Sequence, residues 1–242
     1  MLDGIKRWLG GSPKAASPEW DSVAPWAQSH QYGFRAVPDE GFVVDGRLGA
    51  TAWRLEWGPS QRPYIEGHEL RLRSELGLGS DLQALVMNRV LAEQMEKTVF
   101  EQYVEGVQTR IDNQTPPEMR WLVMFPKLAG AELGTLKDRY VALGSQKAWL
   151  RSWLDGALAA ALQGMRVEPG IPLVLMIGRG RLMLRTALDE AAVPRLQMWL
   201  RLFECAMREA LRAASDSADA GSQSTTPSLW SPSALPGDER KK

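Results

Sequence analysis

The sequence predicts an α+β protein: an antiparallel β-meander plus helix, then a β-hairpin and a β-α-β-β-α module, with the helices packed on one side of the strands. Three observations carry that expectation. Apolar and polar residues alternate from Phe34 to Leu76, with Gly or Pro between the runs. Apolar residues recur at helical spacing near 80–105 and again near 191–214. The second half interleaves short strand-like runs with helical ones. With 242 residues and 44% apolar content, the chain has enough apolar surface to build a core.

In chain order, residues 1–32 read as a short amphipathic segment and a flexible linker. Leu2, Ile5, Trp8 and Leu9 share one helical face beside Lys6 and Arg7. The Gly-, Ser- and Pro-rich text that follows offers too little apolar surface to offset ordering entropy. Residues 33–105 form the first module. Trp53, Leu55 and Trp57 point one way and Arg54 and Glu56 the other; Leu70 and Leu72 alternate with Glu69, Arg71 and Arg73 in the same manner. Asp45-Gly46, Gly58-Pro59 and Glu66-Gly67 supply the reversals. Ser80 then reads as the cap of a helix to about Glu105, carrying Leu82, Leu85, Val86, Val90 and Phe100, with Met87, Leu91 and Met95 on a second stripe.

Residues 106–214 form the second module. Strands near 107–112 and 120–125, separated by a loop holding Pro116 and Pro117, predict a hairpin. A strand at Arg139 to Leu143, a helix at about Gln146 to Gln163, strands at Pro172 to Ile177 and Arg181 to Leu188, and a helix at about Ala191 to Ala214 complete the module. Gly178-Arg179-Gly180 predicts a tight turn, and Pro194 falls in the first turn of the last helix, where its missing N–H costs little. From Ser215 to Lys242 aliphatic and aromatic residues nearly vanish, so a disordered tail is expected, with Trp230 as its exception.

Composition narrows the chemistry. Lys plus Arg and Asp plus Glu number 29 each, so the summed field offers no long-range attraction for nucleic acid, and no nucleic-acid partner is expected. One cysteine, Cys205, rules out an intramolecular disulfide and suits a cytoplasmic protein. With only two histidines, His30 and His68, the usual nitrogen and sulfur ligand sets for structural zinc cannot be assembled, and no cofactor is expected. No apolar run approaches the roughly 20 residues that span a bilayer. Contact with a membrane surface through Trp8 and its neighbours is a minor alternative.

Candidate sites are few. Gly77-Leu78-Gly79-Ser80-Asp81 sits where a phosphate loop would, but Leu82 replaces the third glycine of the dinucleotide fingerprint, and a turn plus a cap accounts for every residue. His68, with Glu56, Glu66 and Glu69, would be the first suspects for a catalytic or small-ligand site assembled in three dimensions. No catalytic set is evident in the sequence itself. Arg179 and Arg181 at a hairpin tip, Met198 and Leu202 on the last helix, Trp8 and Trp230 are the candidate partner-binding residues. The broad apolar arcs of the helices, including Trp149 and Trp153 four residues apart, suggest more surface than one sheet can cover. The expectation is therefore a non-enzymatic protein-interaction or assembly module that binds another protein or itself.

Overall fold

Strand alternation over the first half becomes four strands in a computed structural model that describes residues 20–38, 40–104 and 115–222. After a short helix α1 (Val23–Ser29) come β1 (Gly33–Val37), β2 (Gly41–Leu48), β3 (Thr51–Pro59) and β4 (His68–Glu75), each paired antiparallel with the next. Then follow β5 (Ala84–Asn88), α2 (Arg89–Val104), α3 (Pro117–Met124), a short α4 (Gly130–Leu133) and a 3₁₀ turn at Gly134–Leu136. The chain continues through β6 (Tyr140–Gly144), α5 (Lys147–Leu154), α6 (Ala157–Gly164), β7 (Leu173–Gly178), β8 (Arg181–Ala187) and α7 (Val193–Ser222).

All eight strands join one antiparallel sheet in the order β1-β2-β3-β4-β8-β7-β5-β6. The α+β class holds, with the principal helical layer on one side. There Phe42, Val44, Trp53, Leu55, Leu70, Leu72, Leu175 and Leu184 meet Trp26 of α1, Leu150 and Trp153 of α5, Leu158 of α6, and Phe203 and Met207 of α7. Two indole N–H groups stitch this layer together: Trp153 donates to the Ala206 carbonyl at 3.0 Å and Trp57 to that of Leu188 at 2.7 Å. On the opposite face a smaller cluster covers only the β6-β5-β7 half, where Leu85, Met87, Val141, Leu143, Val174 and Met176 receive Leu91, Ala92 and Met95 of α2 and Leu122 of α3.

Several elements differ from the sequence expectation. Within 1–32, read as an amphipathic segment and flexible linker, Val23–Ser29 is the helix α1, whose Val23, Trp26 and Ala27 are buried. Asp45-Gly46 and Gly58-Pro59, read as reversals, lie inside β2 and β3, and the chain turns between those strands at Gly49-Ala50 instead. The helix expected from Ser80 begins at Arg89, because Ala84–Asn88 is a strand buried on both faces: Ala84 and Val86 point into the larger cluster, Leu85 and Met87 into the smaller. A short apolar run of that kind satisfies helical and strand patterns alike, and only its neighbours decide. The expected strand at 120–125 is the helix α3, with Pro117 at its first position and Glu118 in its first turn. Both are helix-start signals, since proline is preformed for that position and an anion suits the helix N-terminus. The strand expected at 107–112 lies outside the described residues. The single helix expected over 146–163 is two, broken at Asp155-Gly156, where Gly156 adopts φ +67°. The last helix, expected to stop at Ala214, continues to Ser222, and the remainder of the expected tail lies outside the described residues.

The Gly178–Arg181 closure is as expected. Those two residues pair across a two-residue loop in which Arg179 and Gly180 both have positive φ, 55° and 75°. That is the turn whose twist matches a hairpin, although arginine is an unusual occupant of its first position.

Candidate functional site

The sheet face opposite the principal helices changes character along its width. Over β6-β5-β7 it is apolar and roofed by α2 and α3; over β8-β4-β3 it carries charge. Strand parity dictates this: Glu56, Glu69, Arg71, Arg73 and Arg185 occupy the positions alternating with Leu55, Leu70, Leu72 and Leu184. Glu69 is wholly buried and pairs with Arg185, which stands opposite Arg71 across β4 and β8. Glu69 also accepts the Gln61 backbone N–H at 2.9 Å and lies 3.6 Å from Arg71. Glu56 holds Arg73 at 2.9 Å and Arg71 at 3.4 Å.

A second buried carboxylate fastens α3 to this face. Glu118, also without solvent exposure, accepts from Arg62 Nε at 2.9 Å and from the Tyr64 hydroxyl at 2.8 Å through one oxygen. Burial, and then the neighbouring Glu118 charge, push the Tyr64 phenol well above its ordinary range, so it stays a proton donor. Arg62 and Tyr64 belong to the β3–β4 loop, so one carboxylate ties that loop to α3.

The roof itself presents apolar side chains outward. α2 and α3 pack against each other, and on their outer sides Phe100 is 66% exposed, Val123 61%, Met124 63% and Val90 38%. Isolated exposed apolar residues are ordinary, but these occupy two touching helices. Sequence reading placed Phe100 and Val90 on a buried arc. Leu82, Leu85 and Val86 of that arc precede the helix, and the side of α2 that meets the sheet carries Leu91, Ala92 and Met95 instead.

The residues singled out from sequence scatter. Arg181 is neutralised by Glu75 at 2.5 Å, Arg179 is exposed at the hairpin tip, and Arg185 is held beneath the surface by Glu69. Leu202 is buried inside the chain and Met198 is half-buried against the same core. Trp8 and Trp230 lie outside the described residues. The broad arcs of α5 and α7 find their cover within this chain, since Trp149, Trp153, Trp199 and Leu200 are all buried. Cys205 is half-buried, and burial raises its thiol above the ordinary range.

The suspected catalytic residues do not converge. His68 lies on the Leu70 face of β4 and stacks on the Trp57 indole, centroids 4.4 Å apart, whereas Glu56 and Glu69 occupy the other face. Gly77 has φ +67° and leads through a turn into β5, so Ser80 caps no helix and the glycine-rich segment ends at a strand. Two clefts flank the Arg89–Glu93 pair. One, of about 150 Å3, lies among Asn88, Asp138, Tyr140 and Ile171; the other, of about 320 Å3, lies beside Glu96, Lys127 and Leu133. Their charged groups are largely spoken for: Arg89 donates to the Lys137 carbonyl at 3.0 Å, Lys127 pairs with Glu96, and Asn88 donates to the Pro169 carbonyl and accepts from the Leu173 N–H. Among the described residues no cluster of three metal-ligating side chains occurs, and no helix is long and apolar enough to cross a membrane. No family model, curated protein or solved structure matches the chain.

Proposed function

We propose that this chain is a non-enzymatic protein-interaction or assembly module that engages its partner through the outer surface of α2 and α3. The observation that carries the reading is the exposure of Phe100, Val123 and Met124 on two helices whose inner sides are fully committed to the sheet. Exposed apolar area gains free energy when covered, at roughly 25 cal/mol per Å2. The buried Glu118 contact with Arg62 and Tyr64 gives that surface a fixed seat, so the outer residues are presented rigidly and a partner pays little ordering entropy there.

A photo-activated benzoylphenylalanine introduced at Met124 in the full chain tests the reading. Irradiation in cells yields a discrete covalent adduct, and Phe100→Ser in the same chain abolishes it. Failure to form any adduct, or an adduct indifferent to Phe100→Ser, removes α2 and α3 as the contact.

A further inference from the structure

The outward side of α2 is complementary to itself when reversed. Val90, Glu93, Lys97 and Phe100 are all exposed, and at roughly 100° per residue they fall within about 80° of the helix circumference. That stripe lies opposite Leu91, Ala92 and Met95, which face the sheet. Val90 stands as far before Met95 as Phe100 stands after it, and Glu93 as far before as Lys97 after. An antiparallel copy of the same helix, centred level with Met95, would therefore meet apolar with apolar and anion with cation at every position of the stripe.

Resting on the reading of α2 and α3 as a contact surface, we propose that the occupant is a second copy of this chain, joined α2 to α2 about a two-fold axis. Val90 then packs on the partner's Phe100, and Glu93 pairs with the partner's Lys97, each contact occurring twice, as an isologous interface requires. Among the described residues Glu93 pairs with Arg89 at 3.8 Å and Lys97 with Glu101 at 3.7 Å. Exposed pairs of that kind hold weakly and are free to re-pair. Glu96 approaches its own copy near the axis, and the Lys127 of the same chain neutralises it. The formal charge of the chain is zero, so no long-range repulsion opposes association. Contacts between single helices bury little area, which places the dissociation constant at roughly 10–100 µM.

Charge reversal tests the pairing. Sedimentation of the full chain at about 100 µM is expected to give a weight-average mass of roughly 1.5–1.8 times the 26.9 kDa monomer, rising toward twice that mass with concentration. Glu93→Lys alone sets lysine against lysine and Lys97→Glu alone sets glutamate against glutamate, so each variant sediments as a monomer. An equimolar mixture of the two restores opposite charges at both contacts and returns the raised, concentration-dependent mass. All these residues are exposed, and an unchanged circular dichroism spectrum confirms folding. A monomeric wild type, single variants that remain dimeric, or a mixture that stays monomeric each overturn the pairing. If the wild type is monomeric yet the Met124 adduct forms with another protein, the two-fold pairing falls while the interaction surface stands; absence of the adduct as well removes both.

Discussion

Removing the Glu118 carboxylate is the sharpest test of how α3 is held. In Glu118→Ala the Arg62 guanidinium, 18% exposed, and the buried Tyr64 hydroxyl both lose their acceptor. Breaking a buried ion pair from one side costs about 3–5 kcal/mol, because the surviving charge stays desolvated. Partial access of water to Arg62 places this case near the lower end, and the orphaned phenol adds about 1 kcal/mol, giving roughly 3–4 kcal/mol together. With a urea dependence of about 2 kcal/mol per molar, the unfolding midpoint drops by roughly 1.5–2 M. Glu118→Gln keeps a neutral acceptor and is expected to cost about half as much. Replacing the whole cluster, in Arg62→Met, Tyr64→Phe, Glu118→Leu together, leaves no charge stranded and stays within about 1 kcal/mol of the parent. Urea titration followed by tryptophan fluorescence reads all four proteins. A midpoint drop below about 0.3 M for Glu118→Ala, or a triple variant as unstable as the single, would refute the assignment of Glu118 as the anchor of α3.

Other consequences follow from single positions. Gly46 faces its cross-strand partner Trp53, and a Cβ there would come within 2.2 Å of the indole; Gly46→Ala is expected to destabilise by about 2 kcal/mol or more in the same titration, and a neutral result contradicts that packing. Arg179 holds a left-handed conformation at φ 55°, so Arg179→Gly or Arg179→Asn is expected to stabilise by about 0.5–1 kcal/mol, read as a raised melting temperature. Glu204 is half-buried beside Tyr32, and burial raises its carboxyl above the ordinary value. The folded state then binds the proton more tightly than the unfolded chain, so stability falls as pH rises from the unfolded value through the folded one, and the loss persists at pH 7. Glu204→Gln is expected to stabilise the protein at pH 7 and to change nothing at pH 3; equal effects at both would exclude burial of the charge as the cause. The phenol of Tyr64 is raised likewise, so above about pH 10, where an unfolded tyrosine ionises, the parent loses stability faster than Tyr64→Phe does.

Much of the architecture was legible before any tertiary contact was known, where pattern and turn chemistry agreed. The meander followed from alternation such as Trp53-Arg54-Leu55-Glu56-Trp57, and the β7–β8 hairpin from Gly178-Arg179-Gly180. Two signals for further elements stand in the sequence beside the readings made: Pro116-Pro117-Glu118 marks a helix start, and Asp155-Gly156 marks a break. The candidate surface was harder to read. Phe100 and Val90 resemble core residues, and once Leu82, Leu85 and Val86 lie off the helix the arc they shared no longer marks the buried side of α2.

Sequence alone therefore determined the local facts: which faces of β3 and β4 are apolar, that a tight turn joins β7 to β8, and that two histidines and one cysteine fall short of the four nitrogen and sulfur ligands of a structural zinc site. Tertiary structure decided that Ala84–Asn88 becomes a strand, since a five-residue apolar run has no preference until β6 and β7 flank it. It also brought Arg62, Tyr64 and Glu118 together across more than fifty residues. The physical reason is range. Periodicity and turn propensity act over a few residues, whereas burial of a carboxylate or exposure of a phenylalanine is fixed only by whatever distant segment packs beside it.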